Sequence, residues 1–245
     1  MRAVDSGGCA RLPAMDRPPA VPSLPPSRLV MFDFDGTVVD SLETYTAALL
    51  EACRYCGVAA ISTPRDVLAL FAGNFFEGMR QAGLDDKTIA AVNRRSAGSY
   101  LEALARLQAF PHMTELLARL AATCTIVIVT SNSAHAVSSC LRRLGARGVA
   151  EVLGSEQGFG KVAKISGLIA RFPDRAPYWF VGDTTGDMRE ARAAGAEPLG
   201  VAWGWHAPEA LRAAGAARIA ATPAEIAAII VPDEPAALQP TTVER

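Results

Sequence analysis

Two closely spaced carboxylates follow the first long apolar run of this sequence. Asp33 and Asp35 come directly after Leu29-Val-Met-Phe, and residues two apart on an extended chain lean the same way. Close carboxylates repel each other, and the addition of Asp183 makes the cluster costly unless a cation sits among them. Oxygen ligands without a Cys or His cluster nearby select a hard cation, and a phosphate substrate favours Mg²⁺. Gly36 permits the sharp turn that brings backbone close to an anion.

Other polar side chains follow later apolar runs. Thr130 comes after Ile126–Val129, Lys161 follows Gly160 just ahead of a helical stretch, and Gly182-Asp183-Thr-Thr-Gly-Asp187 follows Tyr178–Val181. In parallel α/β sheets, ligands bind beyond the carboxyl ends of the strands, near the point where the strand order reverses. The sequence therefore predicts that these distant segments meet at one site.

Apolar runs alternate with amphipathic stretches along most of the chain, which predicts an α/β fold with a mostly parallel sheet covered by helices on both faces. The predicted strands are 29–34, 126–129, 149–153, 178–181, 199–202 and, at an edge, 218–221. The predicted helices lie near 113–122, 134–145, 161–172, 186–195, 207–214 and 223–230.

One segment interrupts this alternation. Residues 41–112 are far longer than a crossover helix needs, and Leu101, Leu104 and Leu107 show helical periodicity. We predict an inserted domain of about four helices here, over one end of the sheet, with 28–40 and 113–230 forming the core domain. Residues 1–27 are rich in proline and predict a disordered arm, and 231–245 predict a flexible tail.

The composition excludes several classes of protein. Of 245 residues, 50% are hydrophobic and the net charge is −1, so nothing favours nucleic acid or an anionic membrane as a partner. No apolar run approaches the length of a transmembrane helix, and we expect a cytoplasmic protein. Cys53 and Cys56 form a C-x-x-C pair within a helical stretch, where burial explains them better than redox or zinc chemistry.

The four polar segments resemble, in order, the four motifs of the haloacid dehalogenase superfamily of phosphohydrolases. Asp33-Phe-Asp35-Gly-Thr37 and the segment from Gly182 to Asp187 carry most of the resemblance, which spans about residues 29–230. The stretch 159–164 and Trp203-Gly204 further resemble phosphoglycolate-phosphatase-like members. The resemblance implies a doubly wound sheet of strand order 3-2-1-4-5 and a helical cap inserted between the first two motifs.

The resemblance also implies roles for individual residues. Asp33 is the nucleophile that forms a phospho-aspartyl intermediate, and Asp35 is the general acid and then the general base. Thr130 donates its hydroxyl to a phosphate oxygen, and Lys161 offsets negative charge. Ser131 in place of Thr130, and Lys164 in place of Lys161, remain open alternatives. The phosphate-binding set is Gly36, Thr37, Thr130, Ser131, Asn132 and Lys161, and the Mg²⁺ set is Asp33, Asp35 through its backbone carbonyl, Asp183 and Asp187.

The function that follows is Mg²⁺-dependent hydrolysis of a small phosphorylated metabolite, similar to phosphoglycolate or a sugar phosphate. Asp35 argues against a dehalogenase, because a halide needs no proton on leaving. A phosphomutase of the beta-phosphoglucomutase type and a non-catalytic binding protein are the alternatives.

Phe75 and Phe76 are candidates to line a pocket from the insertion, although aromatic residues on helices usually pack in a core. Arg54, Arg80, Arg94 and Arg95 are candidates to hold a substrate carboxylate, and the sequence leaves monomer or homodimer open.

Overall fold

A computed structural model describes residues 28–158 and 160–232 of the chain. The predicted arm 1–27, residue Phe159 of the third motif region, and 233–245 of the predicted tail lie outside the described residues. Within the described part, no helix is both long enough and apolar enough to cross a membrane.

A parallel sheet of six strands forms the centre of the fold, in the order β3-β2-β1-β4-β5-β6. This confirms the predicted order and adds β6 at the edge. The strands are β1 Arg28–Phe32, β2 Cys124–Val129, β3 Val149–Leu153, β4 Trp179–Gly182, β5 Glu197–Val201 and β6 Arg218–Ala220. The first strand ends two residues earlier than predicted, because the Phe34 carbonyl accepts from the backbone N–H groups of Val38 and Val39 and turns the chain.

Helices cover both faces of the sheet, as its alternating side chains require. On β1, Val30 and Phe32 pack in one buried cluster, whereas Leu29 and Met31 pack in another on the opposite face. The helices are α1 Leu42–Tyr55, α2 Pro64–Leu70, α3 Phe75–Gln81, α4 Asp86–Leu104, α5 Met113–Leu120, α6 Ala134–Arg143, α7 Lys161–Arg171, α8 Thr185–Ala193, α9 Pro208–Ala213 and α10 Pro223–Ile230. Helices α5, α6 and α10 contribute to the first cluster, and α7 and α8 to the second.

Four helices, α1 to α4, lie between β1 and α5, in the number that the sequence predicts. Three of them begin after side chains that accept hydrogen bonds from otherwise free backbone N–H groups: Thr63 before α2, Asn74 before α3 and Asp85 before α4. The insertion buries its own apolar cluster, which includes Leu49 and Met79 and is separate from the two clusters of the sheet. This separate core supports the predicted inserted domain.

The two chain segments that join the insertion to the sheet pair with each other. Val39 and Ala109 form an antiparallel bridge. The Asp40 N–H donates to the Gln108 carbonyl at 3.0 Å, and the Phe110 N–H donates to the Val38 carbonyl at 3.0 Å. The chain therefore enters and leaves the insertion through one short two-stranded ribbon.

Candidate active site

The residues that follow β1, β2 and β4 meet at the carboxyl edge of the sheet. Asp33, Thr130 and Asp183 come directly after these strands, and Lys161 is the first residue of α7. Backbone hydrogen bonds continue the sheet to this edge: Asp33 donates to the Val181 carbonyl at 2.8 Å, and Thr130 to the Leu153 carbonyl at 2.9 Å. Since β1 lies between β2 and β4, the site occupies the point where the strand order reverses.

Three buried carboxylates form an acidic cluster at this edge. Asp33, Asp183 and Asp187 each offer an oxygen, and these oxygens lie within 4.8 Å of one another. Asp183 accepts from the Thr37 hydroxyl and from the Trp205 N–H, both at 2.8 Å. Asp187 is held by the capping box that begins α8, in which its side chain accepts from the Thr184 N–H and its own N–H donates to the Thr184 hydroxyl. The cluster is therefore fixed by both its strands and its helix.

One ammonium group lies against this cluster. The Nζ of Lys161 is 2.9 Å from Asp33 and 2.5 Å from Asp187. Burial lowers the pKa of Lys161, but the charges of Asp187 and Asp33 outweigh it and raise that pKa above its ordinary value. Burial raises the pKa of Asp33 to about 7 and raises that of Asp183, with neighbouring carboxylates adding to both shifts. One ammonium does not balance three buried carboxylates, and the all-oxygen donor set fits a hard divalent cation.

Asp35 points into the same cavity but makes a separate set of contacts. Its two carboxylate oxygens accept from the Tyr100 hydroxyl and the Asn132 side-chain amide. Burial raises the pKa of Asp35, and the hydrogen bonds from Tyr100 and Asn132 oppose that rise. Two neutral donors thus hold the carboxyl group in one orientation, and within the part of the chain that the structure describes it forms no ion pair.

The segment after β2 presents a hydroxyl to the cavity. The Thr130 Oγ1 accepts from the Asn132 N–H at 3.0 Å, so its own proton is directed elsewhere. Thr130, Ser131 and Asn132 all line the cavity that contains Asp33 and Asp35. The Thr130 hydroxyl is therefore placed to donate to an anion in this cavity.

A family of enzymes matches this chain over most of its length. The model of the family described as haloacid dehalogenase-like hydrolase matches residues 30–201. This chain belongs to that family. The predicted family resemblance is thereby confirmed, and the chain is assigned to a class of hydrolases.

Individual relatives agree with the family assignment. The phosphoglycolate phosphatase of Synechococcus elongatus is 32% identical over 200 residues, covering 80% of this chain and 94% of that protein. The probable phosphatase IndB of Dickeya dadantii is 29% identical over 202 residues, covering 76% and 86%. A haloacid dehalogenase-like hydrolase from Streptococcus pneumoniae superposes with a TM-score of 0.69 at 24% identity, covering 83% and 98%, and shows the shared fold.

Within this haloacid dehalogenase-like site, two lysines of α7 have different partners. Lys161 lies beside Asp33, whereas the Lys164 Nζ donates to the Thr130 carbonyl at 2.7 Å and to the Gly154 carbonyl at 3.0 Å. Lys164 therefore ties the end of β2 to the segment after β3 and does not face the acidic cluster. Burial lowers the pKa of Lys164 to about 8, and the charge of Lys161 lowers it further.

The shifted pKa of Lys164 predicts a pH dependence of stability. Between about pH 8 and pH 10 the unfolded chain holds the Lys164 proton while the folded chain has released it, so rising pH favours the folded state. A neutral amine still offers two N–H donors to the two carbonyls. From about pH 7.5 to 9.5, we expect the wild type to gain about 1 kcal/mol of unfolding free energy relative to Lys164→Met. Urea unfolding of both proteins measures this, and curves that stay parallel with pH would contradict it.

Two predicted phosphate-binding residues have other roles in this structure. The Thr37 hydroxyl is fully buried and donates to Asp183, so it does not face the cavity. The Gly36 N–H donates to the Val39 carbonyl at 3.0 Å within the loop. The loop after β1 therefore uses these two groups for its own turn and for holding Asp183, and phosphate binding by Gly36 and Thr37 through their other groups stays a prediction.

Gly36 is nevertheless required by the space around it. Its φ of 73° is left-handed, and a Cβ would lie 2.2 Å from Asp183 Oδ2 and 2.5 Å from Trp205 Cδ1. We expect Gly36→Ala to lower the unfolding free energy by at least about 2 kcal/mol and to lower turnover by displacing Asp183. Chemical denaturation and a phosphate-release assay measure the two effects. Gly57→Ala is the control for the left-handed conformation alone, since it has φ 72° and nothing within 4 Å.

Sequence analysis missed several residues that surround the site. Tyr45 on α1, Tyr100 on α4 and Trp205 after β5 all line the cavity. Tyr100 contacts Asp35 across 65 positions of sequence, so no local pattern marks it. Phe75 is both buried in the insertion's own cluster and part of the cavity wall, which reconciles the two interpretations of that helix.

Proposed function

We propose that this chain hydrolyses small phosphate monoesters through a phosphorylated Asp33. The placement of two carboxyl groups with different surroundings in one cavity carries this proposal. Asp33 lies against Lys161 and the acidic cluster, whereas the donors to Asp35 among the described residues are the neutral side chains of Tyr100 and Asn132. When two carboxyl groups have contrasting environments, one can act as the nucleophile while the other carries the proton. The relationship to the phosphoglycolate phosphatase of Synechococcus elongatus supports phosphate esters as the substrate class.

In the first step, a carboxylate oxygen of Asp33 forms a bond to phosphorus while the bond from phosphorus to the ester oxygen breaks. Asp35, in its protonated form, gives its proton to the departing alkoxide. In the second step, Asp35 takes a proton from water, the water oxygen bonds to phosphorus, and the bond to Asp33 breaks. Inorganic phosphate and the original carboxylate of Asp33 result, so neither an oxidant nor a further reactant is needed.

The surrounding groups stabilise the negative charge that develops on the phosphoryl oxygens during both steps. The Thr130 hydroxyl and the Lys161 ammonium serve as donors to the phosphoryl oxygens, at a buried site where such donors act strongly. Asp33 and Asp183, with the Asp35 backbone carbonyl, are the residues that would hold Mg²⁺. When bound, this cation would offset the negative charge of the phosphoryl group and the carboxylates. Asp187, which accepts hydrogen bonds from Thr184 and Lys161, would support the cation or its bound waters.

The helical insertion closes the other side of the cavity. Carbonyl groups of Phe71 and Ala72 accept from Gly186 at 3.0 Å and from the Thr185 hydroxyl at 3.3 Å, so the insertion contacts the start of α8. His206 adds a contact of 3.1 Å to the Leu68 carbonyl. We propose that the insertion is a cap that excludes bulk water and contacts the leaving group.

Phosphate release from p-nitrophenyl phosphate tests the proposed function. We expect turnover with MgCl₂ and a loss of at least about 100-fold when EDTA removes the cation, because the acidic cluster then repels the phosphoryl group. Restoring MgCl₂ after EDTA is the control for irreversible damage. Activity that is equal with and without EDTA would contradict the metal assignment. Isomerised rather than dephosphorylated product from hexose phosphates would favour the phosphomutase.

A further inference from the structure

A wall of aromatic rings lines one side of the cavity. Tyr45 lies at its centre, with ring centroids 5.6 Å from Phe71, 5.3 Å from Tyr100 and 5.2 Å from Trp205. Phe71 is also 5.1 Å from Phe75, and all of these side chains line the cavity. Four of the five rings come from the insertion: three lie on α1, α3 and α4, and Phe71 directly follows α2. Two of these contacts are edge-to-face and two are tilted, and the rings together offer a further planar ring a surface to pack on.

The charges around the cavity do not suit a carboxylate on the leaving group. Lys161 is the only cation among the described residues that line it, and Asp33 and Asp187 already neutralise that ammonium. Glu190 adds a further negative charge to the wall. The arginines that sequence analysis proposed for this role do not line the cavity: Arg80 pairs with Asp86 and Arg95 with Glu51. A substrate carboxylate would therefore be left without an ionic partner.

The polar groups on the insertion side are uncharged. Asn93, Ser96 and Tyr100 lie on one face of α4 and line the cavity. The buried Trp205 indole N–H has no hydrogen-bond partner within the described residues. The cavity measures about 140 Å³. That volume includes the catalytic end beside Asp33 and Lys161, so the alcohol that fits against the rings beside a phosphoryl group is small.

We propose that the insertion selects phosphate esters of small, uncharged alcohols that carry a single planar ring, and that it disfavours esters that carry a carboxylate. This inference rests on the proposed phosphatase function and narrows its substrate class. The rings supply the apolar contact, and the neutral amide and hydroxyl of α4 supply hydrogen bonds to heteroatoms at the ring edge. Phosphoglycolate itself is thereby a poor substrate, in contrast to the activity for which the Synechococcus relative is named.

Two matched pairs of substrates test the inference on the wild-type enzyme with MgCl₂. Phosphoglycolate and phosphoglycolamide are nearly the same size and differ in charge, and we expect kcat/KM to favour the amide by at least about tenfold. Ethyl phosphate and benzyl phosphate differ by a ring, and we expect benzyl phosphate to be favoured by at least about tenfold. A preference for phosphoglycolate over its amide, or equal values for the ethyl and benzyl esters, would overturn the inference.

Two variants test whether the insertion sets these ratios. Ser96→Arg adds a guanidinium to the cavity face of α4, and we expect the ratio of phosphoglycolate to phosphoglycolamide to rise at least about tenfold. Gly98→Arg adds the same charge at an exposed position of the same helix and leaves the ratio unchanged. Phe71→Leu removes one ring, and the preference for benzyl over ethyl phosphate falls at least about threefold. If Ser96→Arg and Phe71→Leu both leave these ratios unchanged, the leaving group lies elsewhere and the inference fails.

Ratios of kcat/KM separate this inference from the function beneath it, because they do not depend on the fraction of folded enzyme. If no ester releases phosphate, including p-nitrophenyl phosphate, the proposed function fails and the inference fails with it. If all esters are hydrolysed without regard to charge or ring, the phosphatase stands and only the selection by the insertion is refuted.

Discussion

Asp33→Asn is expected to lower turnover by at least about 10,000-fold, because the amide is a far poorer nucleophile toward phosphorus than the carboxylate. The fold should survive, since the amide matches the carboxylate in size and Lys161 keeps its contact of 2.5 Å with Asp187. Removing one of three crowded carboxylates also relieves repulsion, so we expect the unfolding free energy to change by no more than about 1 kcal/mol. Phosphate release and urea unfolding measure the two quantities.

The same loop provides a matched control for this substitution. Asp40 is exposed and lies seven positions along the chain, so Asp40→Asn makes the same chemical change outside the cavity. It should leave turnover near that of the wild type. Acid quenching of wild-type turnover should trap phosphate on the protein, and the Asp33→Asn variant should trap none. Substantial turnover in Asp33→Asn, or labelling that persists in it, would rule out Asp33 as the nucleophile.

Lys161→Met is expected to cost both activity and stability. Removal of the ammonium breaks the ion pairs that Asp33 and Asp187 form with it, and leaves the three-carboxylate cluster with no other ion pair within the described residues. Breaking a buried ion pair in this way costs about 3 to 5 kcal/mol of unfolding free energy. Turnover should fall at least about 100-fold, because a donor to the phosphoryl oxygens is lost. Added MgCl₂ should raise the melting temperature of this variant more than that of the wild type, since the cluster has become more negative.

Lys164→Met is the matched control, because it removes a second buried lysine from the same helix. Among the described residues, the hydrogen bonds of the Lys164 ammonium go to the carbonyls of Thr130 and Gly154, so its loss breaks no described ion pair. Differential scanning fluorimetry with and without MgCl₂ should show a wild-type response in Lys164→Met and an enlarged response in Lys161→Met. If the two variants respond alike, the ion pairs of Lys161 are not what stabilises the cluster.

The strand-end residues are predictable from sequence because each follows its own apolar run. The runs before Asp33, Thr130 and Asp183 mark buried strands, and parallel strands bring their carboxyl ends to one edge. The motifs at the strand ends carry the family resemblance, which implies the sheet order, and the periodicity of residues 41–112 indicates that the insertion is helical. The detailed roles of Gly36 and Thr37 do not follow from such local signals, since they depend on a turn that directs the Thr37 hydroxyl toward Asp183, 146 positions away.

The sequence also does not predict which residues of the insertion face the cavity, because this too depends on contacts between distant segments. Tyr45, Tyr100 and Phe75 belong to three helices whose apolar residues serve both a local core and the cavity. Periodicity identifies the buried face of each helix but not which part of that face remains open to a ligand. Only the packing of the helices against the sheet decides that.

The paired segments around Val39 and Ala109 have an evolutionary consequence. Because neighbouring strands are held about 5 Å apart, any segment whose two ends lie at that spacing can join the sheet there without altering its geometry. The residues that we propose to break the ester are encoded before and after this junction, and most of those that we propose to contact the alcohol are encoded within it. Exchange of residues 40–108 between relatives should therefore transplant substrate preference while the cleavage chemistry stays in place. New specificities can arise in this lineage by recombination at a single point of the fold.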